Sequence, residues 1–188
     1  MKTLIINGST RRGGNTDTLV AEFTKYLDGE YMTVTYDDGI APCRDCRYCM
    51  THDGCAVNDR MENVYRYIEE CDNIVIASPV WFMSLSSVTL EIASRLQSVW
   101  ASVRRGGQLQ KKNGVIMLVG AQEGTEVPAE KAARAILRTV GVKLPCAATV
   151  KAMRTDDIAV CDDGEALAAA QDAAVKLNEI NKKANSKA

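Results

Sequence analysis

Leu4-Ile5-Ile6-Asn7-Gly8-Ser9-Thr10-Arg11-Arg12-Gly13-Gly14-Asn15-Thr16 opens with a β-branched run and ends in polar loop chemistry. Apolar residues then recur with helical spacing at Leu19, Val20, Phe23 and Leu27, so residues 4–27 predict strand, loop and helix. The same alternation continues down the chain. Met32 and Val34 alternate with Thr33 and Thr35, the pattern of a half-covered strand at a sheet edge. Asp59 and Glu62 predict a capped helix with Met61, Val64, Tyr65 and Ile68 on its buried face. A buried strand follows at Ile74-Val75-Ile76-Ala77, and Pro79 ends it before a Ser-rich turn. One helix then carries Val88, Ile92, Leu96 and Val99 as far as Gly106-Gly107.

Val115-Ile116-Met117-Leu118-Val119 reads as a central strand covered on both faces and closed by Gly120. Pro128 and Gly141 bracket another helix, which carries Ala133, Ile136, Leu137 and Val140. Ala147-Ala148-Thr149-Val150 forms a last strand, and Leu167, Ala170, Ala174, Leu177 and Ile180 form a last helix, with a polar tail that frays from Asn181. Five strands alternating with five helices predict an α/β, doubly wound, five-stranded parallel sheet with helices on both faces. The half-covered second strand favours the order 2-1-3-4-5. Ligands of such sheets sit beyond the carboxyl ends of the strands, at the switch point between the first and third.

Composition narrows the function. The 188 residues are 46% apolar and 25% charged, enough for a single domain with its own core over 1–188. Twenty-three basic against 24 acidic side chains leave a net charge of -1, without the cationic excess that nucleic-acid binding uses. No apolar run approaches the roughly 20 residues of a membrane span, and no signal-peptide pattern opens the sequence, so we expect a cytoplasmic protein.

The first loop concentrates backbone N–H groups at a helix N-terminus, to which Ser9, Thr10, Asn15 and Thr16 add neutral donors and Arg11 a charge. A phosphate monoester suits that cradle. Neither Gly-Lys-Ser/Thr nor G-x-G-x-x-G occurs there, which disfavours ATP and a stably held dinucleotide; the alternative is a Gly- and Ser-rich turn that only starts a helix. Pro79, Val80, Trp81, Phe82, Met83 and Ser84 offer a platform for a planar heterocycle, although Trp81 and Phe82 also suit a core or a subunit interface. Gly120, Ala121, Gln122, Glu123 and Gly124 form the facing wall. Cradle, aromatic platform and Gly-rich wall together point to flavin mononucleotide (FMN). Because a flavin carries its own chemistry, the want of a Ser-His-Asp arrangement or a G-x-S-x-G elbow fits this reading, and no side chain is assigned as catalytic.

Cys43, Cys46, Cys49 and Cys55 follow the spacing C-x2-C-x2-C-x5-C in a loop at 42–58. Compact two-residue gaps favour an iron-sulfur cluster over zinc, with free thiols, an oxidised pair or a redox-sensing switch as the other options. Cys71, Cys146 and Cys161 read as isolated thiols, and His52 as a solvated loop residue.

The runs GSTRRGGNT (8–16), PCRDCRYCMTHDGCAVNDRM (42–61) and SPVWFMSLSS (78–87) resemble the NADPH-dependent FMN reductase family of flavodoxin-like proteins, in particular its iron-sulfur flavoprotein branch. The resemblance spans roughly residues 3–125. It implies a flavodoxin-like fold, with FMN phosphate at Ser9, Arg11, Asn15 and Thr16 and the isoalloxazine beside residues 79–84 and 120–124. A [4Fe-4S] cluster on Cys43, Cys46, Cys49 and Cys55 is implied as well. Electrons would pass between NAD(P)H or a ferredoxin-like partner, FMN and the cluster, in a homodimer or homotetramer. The alternatives are a cluster-free NAD(P)H-dependent FMN or quinone reductase and a flavodoxin-like electron carrier. Members often carry Tyr at the position of Trp81, Lys at that of Leu90 and Asp at that of Ser94.

Overall fold

A computed structural model of the chain describes residues 1–185. The strands are β1 (Lys2–Asn7), β2 (Glu30–Val34), β3 (Asn73–Trp81), β4 (Ser84–Leu85), β5 (Asn113–Val119) and β6 (Ala148–Ala152). The α-helices are α1 (Asn15–Lys25), α2 (Met61–Glu70), α3 (Ser87–Arg95), α4 (Gln97–Arg104), α5 (Glu126–Thr139) and α6 (Gly164–Asn185). Five strands pair in parallel in the order β2-β1-β3-β5-β6, with β2 at one edge as its half-polar pattern requires.

Strand periodicity divides the core in two. Leu4, Ile6, Ile74, Ile76, Ile116 and Leu118 face one side and pack against Val64, Ile68, Ile92 and Leu137 of α2, α3 and α5. Ile5, Val75, Val115 and Met117 face the other, against Leu19 and Phe23 of α1 and Ala170, Ala174 and Leu177 of α6.

Three expectations need correction. The order 2-1-3-4-5 becomes 2-1-3-5-6 because the Ser-rich turn holds an extra two-residue strand, β4, antiparallel to the end of β3 with Trp81 opposite Ser84 and Val80 opposite Leu85. Phe82 (φ 50°) and Met83 (φ 63°) make that turn, both in the left-handed region that a two-residue hairpin demands and that Asn-Gly usually supplies. The single helix predicted before Gly106 is two, α3 and α4, parted at Leu96. Tyr65 Oη donates to the Arg95 carbonyl (2.8 Å), a group that an unbroken helix would pair with the amide four residues on. The tail predicted to fray from Asn181 instead continues α6 to Asn185; buried Asn181 donates to Asn73 Oδ1 (2.9 Å) and to the Leu177 carbonyl (2.7 Å). The rest of that predicted tail, residues 186–188, lies outside the described residues.

The longest-reaching polar contact starts on α3. Arg95 is buried, and its guanidinium meets the Asp59 carboxylate in two parallel bonds, Nη1 to Oδ2 at 2.7 Å and Nη2 to Oδ1 at 3.2 Å. Nη1 also donates to the Ala41 carbonyl (2.8 Å) and Nη2 to that of Val57 (3.0 Å), so one side chain grips both ends of the cysteine loop. Asp59 further accepts the amides of Ala41 and Met61; it stands one residue before Arg60, the N-cap of α2, and not at the N-cap as predicted. Burial by itself would raise the Asp59 pKa; bonds from Arg95, Met61 and Ala41 override it and hold the carboxyl below its ordinary value.

Two outcomes follow from this frame. Replacing Phe82-Met83 by Asn-Gly relieves about 1–2 kcal/mol of left-handed strain per residue, so the urea midpoint should rise; a fall would mean that the two side chains hold the turn together. Asp59→Asn leaves a buried guanidinium without its counter-charge and should cost about 3–5 kcal/mol at pH 7. Because the folded pKa is depressed, that contribution is complete above the unfolded value of about 3.9 and disappears as pH falls through the folded one. Acid titration of stability should therefore lose part of its slope below about pH 4 in the variant, and an unchanged slope would contradict the clamp.

Candidate functional site

The carboxyl ends of β1, β3 and β5 open onto a cleft of about 270 Å³. Ser9, Thr10, Arg11, Asn15 and Thr16 line it from the first loop, Pro79, Val80 and Trp81 from the end of β3, and Gly120 and Ala121 from the end of β5. Its floor is fixed by sterics and hydroxyl bonds. A Cβ on Gly8 would lie 1.9 Å from Thr89 Oγ1 and 2.5 Å from Ser86 Oγ, so only glycine lets the first loop press on the start of α3. Ser86 Oγ donates to the Gly8 carbonyl (2.8 Å) and Thr89 Oγ1 donates to Ser78 Oγ (3.0 Å), which locks the first loop, β3 and α3 together.

Within the first loop, Asp17 organises the turn. Its carboxylate accepts Asn7 Nδ2 (2.8 Å) and the Gly13 amide (2.7 Å), while Asn7 Oδ1 accepts the Ser9 amide (3.0 Å). Arg12 is paired outward with Asp37 (2.9 Å), whereas the Arg11 guanidinium makes no ion pair among the described residues. Asn15 Oδ1 accepts the Val160 amide (3.1 Å), which ties the loop to the segment after β6. Neutral donors, amides at a helix N-terminus and an uncommitted arginine on the cleft form a donor set that fits a phosphate monoester.

The remaining predicted residues stand outside this cleft. Phe82 is fully exposed and Met83 about half exposed at the hairpin tip, with Ser84 paired to Trp81 behind them. Gln122, Glu123 and Gly124 turn away toward α5; the Gln122 carbonyl accepts Thr125 Oγ1, and Glu123 pairs with Arg154. Sequence reasoning missed Gly14, Val119, Thr155 and Asp156 in the lining. Thr155 and Asp156 follow β6, an edge strand away from the switch point between β1 and β3, and their loop carries no motif, so no sequence signal pointed to them.

Cys43, Cys46, Cys49 and Cys55 line a second cavity of about 200 Å³ together with Arg95, Ser98 and Trp100. The loop curls through left-handed Asp45 (φ 48°) and Arg47 (φ 59°) on either side of Cys46. Asp45 and Val57 amides donate to the sulfurs of Cys43 (3.4 Å) and Cys55 (3.5 Å). Helices α3 and α4 hold the loop: Ser94 Oγ accepts the Cys43 amide (2.9 Å), Ser98 Oγ donates to the Gly54 carbonyl (2.8 Å), and Arg105 donates to the Cys49 carbonyl and to Asp53. Ser94 thus serves the loop directly. His52 stacks on Tyr48 and lies outside the cavity lining.

Burial, and then the charges of Cys55, Cys43 and Cys46, push the Cys49 thiol up. Thiolates so near one another repel unless a cation joins them. Among the described residues, no three His, Cys, Asp or Glu side chains converge closely enough for a metal ion. The four sulfurs border one cavity instead, and as soft donors they match in kind and number the ligands of a polynuclear iron-sulfur group. The first-loop cleft and the thiol cavity share no lining residue. No helix among the described residues is long and apolar enough to cross a membrane.

Comparison with known proteins agrees with this architecture. The chain is 30% identical over 125 residues to an iron-sulfur flavoprotein of Methanocaldococcus jannaschii, covering 64% of this chain and 63% of that one. It is 27% identical over 124 residues to an iron-sulfur flavoprotein of Methanosarcina thermophila, with 64% and 63% covered. The matched part is less than two thirds of these relatives' length. Among solved structures, NAD(P)H:quinone oxidoreductase from Methanothermobacter marburgensis superposes with a TM-score of 0.68 at 15% identity, over 93% of this chain and 94% of that one. An azoreductase from Bacillus anthracis superposes with a TM-score of 0.65 at 15% identity, over 95% and 99%; at such identity the likeness is one of fold. The sequence profile of NADPH-dependent FMN reductases matches residues 1–152, and the chain belongs to that family.

Proposed function

We propose that the protein is an FMN-dependent oxidoreductase of the iron-sulfur flavoprotein type. The single observation that supports this reading is the cleft at the ends of β1, β3 and β5, where the donor-rich first loop meets Pro79, Val80, Trp81, Gly120 and Ala121. Ser9, Thr10, Arg11, Asn15, Thr16 and the first-turn amides would hold the phosphate. Pro79, Val80, Trp81, Gly120 and Ala121 would hold the ring, while exposed Phe82 and Met83 are free to cover it or to meet a second copy of the chain. FMN, when bound, supplies hydride acceptance and electron storage. The protein supplies orientation, backbone hydrogen bonds and a cleft wall that limits water. NAD(P)H or a ferredoxin-like protein is the proposed electron partner, and a homodimer or homotetramer the proposed assembly.

Cys43, Cys46, Cys49 and Cys55 would hold a [4Fe-4S] cluster, which supplies one-electron transfer when present. Four thiols around one cavity, and relatives named for iron-sulfur flavin chemistry, support this part of the reading. A chain that binds FMN but assembles no cluster would be a cluster-free FMN or quinone reductase.

Calorimetric titration with FMN tests the assignment. Arg11→Ala removes a charge-assisted bond of about 1.5–3 kcal/mol and should weaken binding by about 10- to 150-fold, while Arg12→Ala, whose partner is Asp37, should change it less than about threefold. No heat of binding in the unaltered protein, or equal effects of the two variants, would refute the cradle.

A further inference from the structure

Arg95 has one donor unaccounted for. Nη1 and Nη2 are taken by Asp59, Ala41 and Val57, but Nε is buried and has no hydrogen-bond acceptor among the described residues. A buried N–H left unpaired carries a desolvation penalty of about 1–3 kcal/mol, so native folds rarely leave one without a partner. Arg95 belongs to the lining of the cavity that the four thiols share. Among those thiols, Cys55 is tied to Arg95 through Val57, whose amide donates to the Cys55 sulfur (3.5 Å) and whose carbonyl accepts Arg95 Nη2 (3.0 Å).

We infer that Arg95 Nε–H donates a hydrogen bond to a sulfur of the iron-sulfur group held by Cys43, Cys46, Cys49 and Cys55, on its Cys55 side, and thereby sets the potential of that group. The inference rests on the cluster reading given above. A guanidinium whose other face is fixed on Asp59 cannot turn away, so this donor is preorganised. An N–H bond to sulfur, with a cation behind it, favours the more negative, reduced form and raises the potential. Asp59 offsets part of the charge but none of the bond's direction, since it occupies Nη1 and Nη2. Arg47 also lines the cavity; its guanidinium bonds exposed Asp45 and serves as the comparison residue.

The test uses the anaerobically prepared 188-residue chain, reconstituted with iron and sulfide and reduced by one electron with a europium(II) chelate. Protein carrying ¹⁵N-arginine should give a ¹⁵N coupling to the reduced group in pulsed electron paramagnetic resonance. The coupling should persist in Arg47→Lys and vanish in Arg95→Lys. In a potentiometric titration Arg95→Lys should lower the reduced-to-oxidised ratio at fixed potential about tenfold, equivalent to about 59 mV for one electron. If Arg95→Lys does not fold, the labelled unaltered protein and Arg47→Lys still decide the coupling. A protein that assembles stoichiometric iron and sulfide but gives no arginine coupling, or gives one with no change of potential in folded Arg95→Lys, overturns this inference alone. One that assembles no iron and sulfide overturns the cluster reading as well.

Discussion

The buried Arg95–Asp59 pair is the constraint that organises the functional half of the molecule. Bringing a guanidinium out of water is costly, and a carboxylate in bidentate contact with two backbone carbonyls beside it makes the burial tolerable. Those carbonyls belong to Ala41 and Val57, so the groups that satisfy the charge are the two ends of the cysteine loop. A loop with five residues of separation before its last cysteine has little secondary structure of its own; its shape is imposed from α3 and α4 through Ser94, Arg95, Ser98 and Arg105.

Helix α3 has a second duty at its other end. Ser86 and Thr89 bond the Gly8 carbonyl and the Ser78 hydroxyl, and the missing Cβ of Gly8 lets the first loop settle against them. One short helix therefore buttresses the first-loop cleft with its N-terminus and the thiol cavity with its C-terminal arginine. The cavities have separate linings, but a shift of α3 would disturb both. Such coupling would serve the proposed function, in which FMN and an iron-sulfur group are held by one scaffold and the protein supplies placement.

Much of this was legible in the residues alone. Leu4-Ile5-Ile6 and Val115-Ile116-Met117-Leu118-Val119 are continuous apolar runs buried at every position, a local signature of strands covered on both faces, so the parallel sheet and its two helical layers could be read directly. Ser9, Arg11 and Asn15 were found because a helix N-terminus after a first strand has known chemistry. The Arg95–Asp59 pairing was hidden, since its partners lie far apart in sequence and Asp59 resembled an ordinary helix cap. Phe82-Met83 disguised a hairpin by lacking Asn or Gly, and Asn181 looked like tail because its buried partner, Asn73, lies across the fold. Thr155 and Asp156 entered the cleft only through the spatial adjacency of β6.

Native mass spectrometry of the anaerobically purified, reconstituted chain tests the account most directly. It predicts that each polypeptide carries the mass of one FMN together with that of one four-iron, four-sulfur group, both lost on denaturation. A chain that retains the bare polypeptide mass after exposure to FMN, iron and sulfide would contradict it.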